Sequence, residues 1–345
     1  MSWYHIPGNM QDVVICSCVR LNRNLAGYPF PSRLDAARAK ELLARVGAVL
    51  DENGFIRTDP AELSATAARA LVEKGFMTPR FLRESLPRAL YLNDPCNLSV
   101  MLCEEDHTVM QGILSGLALW DAFAGASKVE NILDSTFELA FDSRLGYLTA
   151  DPALLGPAME ATVTLSLPLL GDRGRIHPMV RRQEQRGMRL SPVTDDGEKP
   201  WGNLWRLSCL HTLGYGEEEL LEGLDASAHK LVEEERGLRE SITGEEADRL
   251  RDRIGRAEGI LRHATMLGVA ETAELLSLLR TGAAMGLTEG VRVELMTTLL
   301  TEILPATLMS IAEPPLRSLW EQDILRARVV KEKLFGSGEG QEMAK

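Results

Sequence analysis

The residues of this chain best equipped for chemistry are Glu104, Glu105, Asp106 and His107, three consecutive carboxylates and an imidazole. They follow Ser99 to Cys103, where Val100 and Leu102 alternate with smaller or polar neighbours as in a half-buried strand. Carboxylates clustered at a strand end are costly to bury unless a cation faces them. Two readings stand open: a solvated acidic turn closing a hairpin, or a carboxylate site for a guanidinium or a metal. His107 reads first as a packed or capping histidine.

The elements around this box read as α+β. Asp12 to Asn24 is rich in β-branched and small residues and reads as a strand. Ser32 is the expected cap of a helix from about Leu34 to Leu50, and a second helical segment is expected near Ala61 to Glu73. The part from about 30 to 80 is thus a small helical unit laid against a sheet. Ile113 to Ile132 reads as helix, Leu145 to Pro152 as a strand running into a loop, and Ala161 to Leu170 as a strand or apolar segment. Gly187 to Val193 and Asn203 to Cys209 are expected strands, and Glu217 to Ile242 a long charged helix. From Thr243 onward four helices are expected, at Glu245 to Leu267, Ala270 to Met285, Thr288 to Leu304 and Ser318 to Leu334. The expected organisation is a sheet-containing domain over 1–242, an all-helical domain over 243–335 and a polar tail over 336–345.

Composition narrows the function classes. A chain of 345 residues, 45% hydrophobic and 26% charged, suits a soluble two-domain protein. A net charge of −12 argues against nucleic acid or an anionic membrane as partner. No apolar run approaches membrane-spanning length and no charged-then-apolar leader opens the sequence, so a cytoplasmic location is expected. The five cysteines, Cys16, Cys18, Cys96, Cys103 and Cys209, read as reduced thiols. Cys16 and Cys18 share a strand face and lack metal-site spacing, so no metal ligands are assigned.

Five segments in order resemble one family, the ATP:guanido phosphotransferases, and within it the bacterial protein arginine kinases. Val14 to Asn24 is similar to the family's opening Ser-Ser-Arg-Val-Arg-Leu-Ala-Arg-Asn. The acidic box resembles its Asn-Glu-Glu-Asp-His signature, with Cys103 at the leading Asn. Leu145 to Gly156 is similar to its Gly-Tyr-Leu-Thr-Ser-Cys-Pro segment, and Gly202 to Gly214 to its Gly-Asn-Xaa-Tyr-Gln-Ile-Ser-Asn-Gln segment. Gln322-Asp323-Ile324-Leu325-Arg326-Ala327 resembles the Arg-Asp-Xaa-Xaa-Arg-Ala motif of the family's phosphoarginine pocket. The resemblance implies an antiparallel sheet flanked by helices, a helical dimerisation domain, and magnesium-ATP as cofactor.

Carried over by position, the family's catalytic glutamate is Glu105. Its five nucleotide-phosphate arginines fall on Cys18, Arg20, Val109, Glu160 and Arg186, so only Arg20 and Arg186 are retained. The family's reactive cysteine falls on Asp151 and a histidine on Gly75. A second glutamate is missing after Arg186, with Glu198 a candidate substitute. Phosphoryl transfer rests on cations around the phosphate and carboxylates that align the guanidinium. The pattern therefore implies a degenerate arginine kinase with no nucleotide cofactor, acting as a regulatory or phosphoarginine-binding subunit in protein quality control. Implied partners are a second copy, an active arginine kinase, a kinase activator, a Clp chaperone or phosphoarginine proteins. The alternatives are an active kinase in which Arg189 substitutes, and a purely structural dimer partner. Arg20, Arg23 and Arg186 have a structural reading too, as partners of Glu104 and Asp106. Asp323 and Arg326 are spaced for an intrahelical ion pair or for gripping a phosphorylated guanidinium.

Overall fold

The computed structural model describes residues 2–83, 85–172, 174–194, 200–312, 316 and 318–336. Glu198 and the tail beyond Gly336 lie outside the described residues. The strands are β1 (Val14–Arg23), β2 (Ile56–Thr58), β3 (Ala89–Leu92), β4 (Leu98–Leu102), β5 (Thr108–Ser115), β6 (Phe141–Asp142), β7 (Gly146–Tyr147), β8 (Met159–Ser166), β9 (Met188–Pro192) and β10 (Leu204–Cys209). Eight of them form one antiparallel sheet in the order β2-β3-β4-β5-β1-β8-β10-β9, and β6 pairs with β7 apart from it.

The helices are α1 (Ala36–Glu52), α2 (Ala65–Glu73), α3 (Pro79–Arg83), α4 (Leu119–Asp134), α5 (Pro168–Asp172), α6 (Ile176–Glu184), α7 (Glu217–Ser241), α8 (Glu245–His263), α9 (Val269–Ala284), α10 (Val293–Glu302), α11 (Pro305–Ser310) and α12 (Leu319–Phe335). The fold is α+β, as the sequence pattern predicts. Alternation along β1 divides the two faces of the sheet. Val19 and Leu21 join Leu42 of α1, Ala122 of α4 and Leu224 of α7 in the main core, whereas Cys16, Cys18 and Arg20 face an open cleft. Gly112 lets α4 lie directly on β5, because a Cβ there would stand 2.1 Å from the Ala122 carbonyl oxygen.

Several boundaries differ from the sequence expectation. Asp35, not Ser32, caps α1 by accepting from the Arg38 amide. The expected helix from Ile113 starts only at Leu119, because the chain through Ser115 is committed to pairing with β1. The apolar stretch after Leu145 yields only the two residues of β7 as strand. Helix α10 begins at Val293 rather than Thr288, after Gly286 and Gly290 take left-handed backbone angles.

The break between α7 and α8 falls at Ile242 to Gly244, yet packing continues across it. Leu250 and Ile254 of α8 enter the main core. Ile15 of β1 and Leu204 of β10 join a second core with Leu276, Leu299 and Val330 of the C-terminal helices. Gly202 is fitted to the same junction, since a Cβ there would lie 2.9 Å from Ala273. On the other side, both carboxylate oxygens of Glu73 (α2) cap α11 through the Ala306 and Thr307 amides at 2.9 and 2.6 Å.

Candidate functional site

The acidic box is the turn of the β4–β5 hairpin, and it is not solvated. Glu104, Asp106 and His107 are all buried, and each is satisfied locally. Glu104 accepts from the Thr78 hydroxyl at 2.5 Å and from the Glu105 amide at 2.6 Å. Asp106 accepts from the Asn24 side-chain amide at 2.5 Å and the Ala150 amide at 2.8 Å. His107 accepts from the Leu25 amide on Nδ1 and donates from Nε2 to the Pro29 carbonyl, which makes it a packing and capping residue. Burial holds its pKa below the usual histidine value. Glu105 pairs with a cation, Arg80, at 2.6 Å. Burial pushes the Glu105 carboxyl above its usual range; Arg80 opposes that shift, and Glu104, Asp106 and Asp151 reinforce it.

The expected pairing of Arg20, Arg23 and Arg186 with Glu104 and Asp106 is not found. Arg23 is fully buried, donates to Glu130 at 2.5 Å and Glu217 at 3.1 Å, and stacks on Tyr147 at 3.5 Å. It faces away from the cleft because it lies on the odd-numbered side of β1, where the buried Glu130 of α4 and the half-buried Glu217 of α7 meet it. Arg20 points the other way. Its Nε donates to Gln111 at 2.7 Å, and a terminal nitrogen lies 3.6 Å from Glu160 directly across β8.

The other positions carried over from the family are dispersed in role. Cys18 packs with Trp3, Tyr4, Phe76 and Ile113 at the inner wall of the cleft, and burial pushes its thiol up. Val109 is sealed in an apolar cluster with Met77, Phe81, Leu90 and Met101. Glu160 lines the cleft, with its side chain 39% exposed. Arg186 does not line it: it sits in the exposed turn between α6 and β9. The strand that follows presents Arg189 and Ser191 to the cleft instead, because side chains alternate on β9 and Met188 and Leu190 are turned to the core. Asp151 caps a short turn by accepting from the Ala153 amide, and the Gly75 carbonyl accepts from Gln111.

The cleft has a volume of about 740 Å³. Its floor is the exposed face of β1, β8, β10 and β9, and its rim includes Trp3, Trp201 and residues of α10. Arg206 of β10 also belongs to it, and sequence reasoning missed this residue. The signal available was its place at an exposed position between Leu204 and Ser208 on an alternating strand.

In the helical part, Gln322, Asp323, Arg326 and Ala327 are neighbours on α12. Arg326 is 2% exposed and donates to the Ile303 and Leu267 carbonyls at 2.9 and 2.7 Å and to Asp323 at 2.5 Å. Gln322 contacts the Met309 sulfur, and Ala327 is buried against α8 to α10. Asp323 therefore holds the chain's own guanidinium.

Residues 48–238 match the ATP:guanido phosphotransferase C-terminal catalytic domain, and residues 247–344 match the Protein-arginine kinase McsB C-terminal domain. The chain is 32% identical over 341 residues to the protein-arginine kinase of Moorella thermoacetica, covering 97% of each. It is 31% identical over 337 residues to that of Halothermothrix orenii, covering 96% of each. Among solved structures it resembles the duplicated taurocyamine kinase of Schistosoma mansoni with transition state analog components, at a TM-score of 0.60 and 20% identity. That match covers 71% of this chain and 37% of the other. Lombricine kinase matches at a TM-score of 0.59 and 17% identity, over 68% of this chain and 69% of that one. Among the described residues no helix is long and apolar enough to cross a membrane. The chain belongs to the protein-arginine kinase family of ATP:guanido phosphotransferases.

Proposed function

We propose that this member of the family is a regulatory subunit that does not phosphorylate arginine. One observation carries the reading: Arg20, the cation retained in the cleft from the family's phosphate-binding set, is engaged by Gln111 and paired with Glu160. Where the family's magnesium-ATP needs converging positive charge, this end of the cleft is close to neutral. Cys18 and Val109 are built into apolar packing, so neither position could accept a charged ligand without being rebuilt. The residues present fit a magnesium triphosphate poorly, and no phosphoryl-transfer step is derived for them.

The partner is a second copy of the chain or an active arginine kinase in the cytoplasm, met through the helical domain. Leu319, Trp320 and Ile324 of α12 are exposed there and suit a protein contact. Phosphoarginine recognition is not part of the proposal, because Arg326 is consumed by internal carbonyls. The purified chain, incubated with magnesium-ATP and analysed by mass spectrometry, is expected to carry no phosphoarginine. Phosphoarginine on the wild-type chain, absent from a Glu105→Gln variant, would overturn the proposal.

The second reading, an active kinase with a rearranged site, is favoured by Arg189 and Arg206. They place two cations in the same cleft. The same assay decides between the two.

A further inference from the structure

A second groove lies on the helix-covered side of the sheet and shares no lining residue with the cleft. It runs between α6 and α7 and has a volume of about 490 Å³. Leu170 of α5, Met179 of α6 and Leu238 of α7 form its apolar floor, and all three also belong to the main core. Gly237 and Ser241, about one turn apart on α7, form one edge, and both are exposed. A Cβ at Gly237 would meet nothing within 4 Å, so packing inside the chain does not require glycine there. Glycine within a helix lowers its stability, and what it allows in return is close approach of another backbone. The missing side chain leaves a low point in the ridge that α7 presents, and helices pack by laying ridges into such gaps.

Charge narrows the chemistry of the occupant. Three charged side chains line the groove. Arg182 and Glu234 neutralise each other at 2.8 Å. The Arg175 guanidinium has no ion pair or hydrogen-bond partner among the described residues. The nearby carboxylate of Asp172 is held by Arg253 at 2.5 Å. The groove therefore carries one uncompensated positive charge on a chain whose net charge is −12.

We propose that this groove docks an amphipathic helix of a partner protein, with apolar side chains on the floor, its backbone against Gly237 and a carboxylate on Arg175. The surface belongs to α5, α6 and α7 and is separate from the exposed apolar residues of α12. It goes beyond the regulatory reading and does not depend on it.

Fluorescence anisotropy of the full chain with a labelled synthetic peptide tests this. The probe is an amphipathic helix with leucines at i, i+4 spacing and one glutamate beside them; a scrambled peptide of the same composition is the control. Expected is binding of the helix and not of the scramble. Gly237→Leu fills the groove and should weaken binding about tenfold or more, while thermal unfolding shows a fold at least as stable as the wild type. Arg175→Gln should weaken binding about twofold to fivefold, and that loss should vanish with a peptide whose glutamate is replaced by glutamine. Absence of binding, equal binding of the scramble, or indifference to Gly237→Leu overturns the proposal. A Gly237→Leu chain that changes oligomeric state in size-exclusion chromatography assigns the groove to a second copy and overturns it too. These outcomes are separable from the phosphoarginine assay, which reads the cleft alone.

Discussion

Replacing Glu160 by arginine would place a cation on the cleft floor and release Arg20 from its cross-strand partner. A unit charge pair 4 Å apart is worth about 4 kcal/mol at an effective dielectric of about 20. Both side chains are partly open to solvent, at 28% and 39% exposure, which reduces each contact to roughly 1 kcal/mol. Charge reversal removes one repulsion toward a phosphate and adds one attraction, a gain of about 2 kcal/mol, or about thirtyfold in affinity. Glu160→Gln removes only the repulsion, and the gain should be about fivefold. Calorimetry with magnesium-ATP at low salt, on wild type and both variants, reads this series directly. At about 0.5 M salt, where screening acts within a few ångströms, the steps should shrink together. Micromolar ATP binding by the wild type, or an affinity unchanged within twofold in Glu160→Arg, would refute the electrostatic account of the cleft.

Two further outcomes follow from buried charges elsewhere. Arg326→Ala should cost about 3 to 5 kcal/mol in urea unfolding, because the Ile303 and Leu267 carbonyls lose their donor inside the helical domain; a loss below about 1 kcal/mol would remove Arg326 from the structural framework and reopen it as a ligand residue. Asp12 is desolvated by burial, which raises a carboxyl, yet the hydrogen bonds and charges of Arg236 and Arg239 outweigh this and hold its pKa below the usual value. A depressed carboxyl stabilises the fold above its unfolded pKa near 3.8 and loses that contribution as pH falls through the folded value. The stability gap between wild type and Asp12→Asn, measured by urea titration, should therefore be widest at neutral pH and close below about pH 4; a gap independent of pH would contradict the pairing.

Local pattern carried much of the architecture. The alternation of Val100 and Leu102 marked β4, and the run from Glu217 marked α7 almost to the residue. Ser318 with Glu321 formed a capping box at the start of α12. Those features depend on near neighbours, which a sequence displays. The boundary errors arose where distant partners overrode local preference, as when pairing with β1 held the chain through Ser115 in a strand that helical spacing alone did not reveal.

For the candidate site the division is sharper. Residue types alone showed that Cys18, Val109 and Glu160 carry no positive charge, since charge at a position needs no coordinates. Only the tertiary structure decided where the remaining charges point. Strand register put Arg20 against Glu160, turned Arg23 to the opposite face, and brought Arg189 and Arg206 together from separate strands while leaving Arg186 in an exposed turn. A side chain's partner is fixed by which strand lies beside its own, and that contact is settled by long-range pairing that no local stretch of sequence encodes.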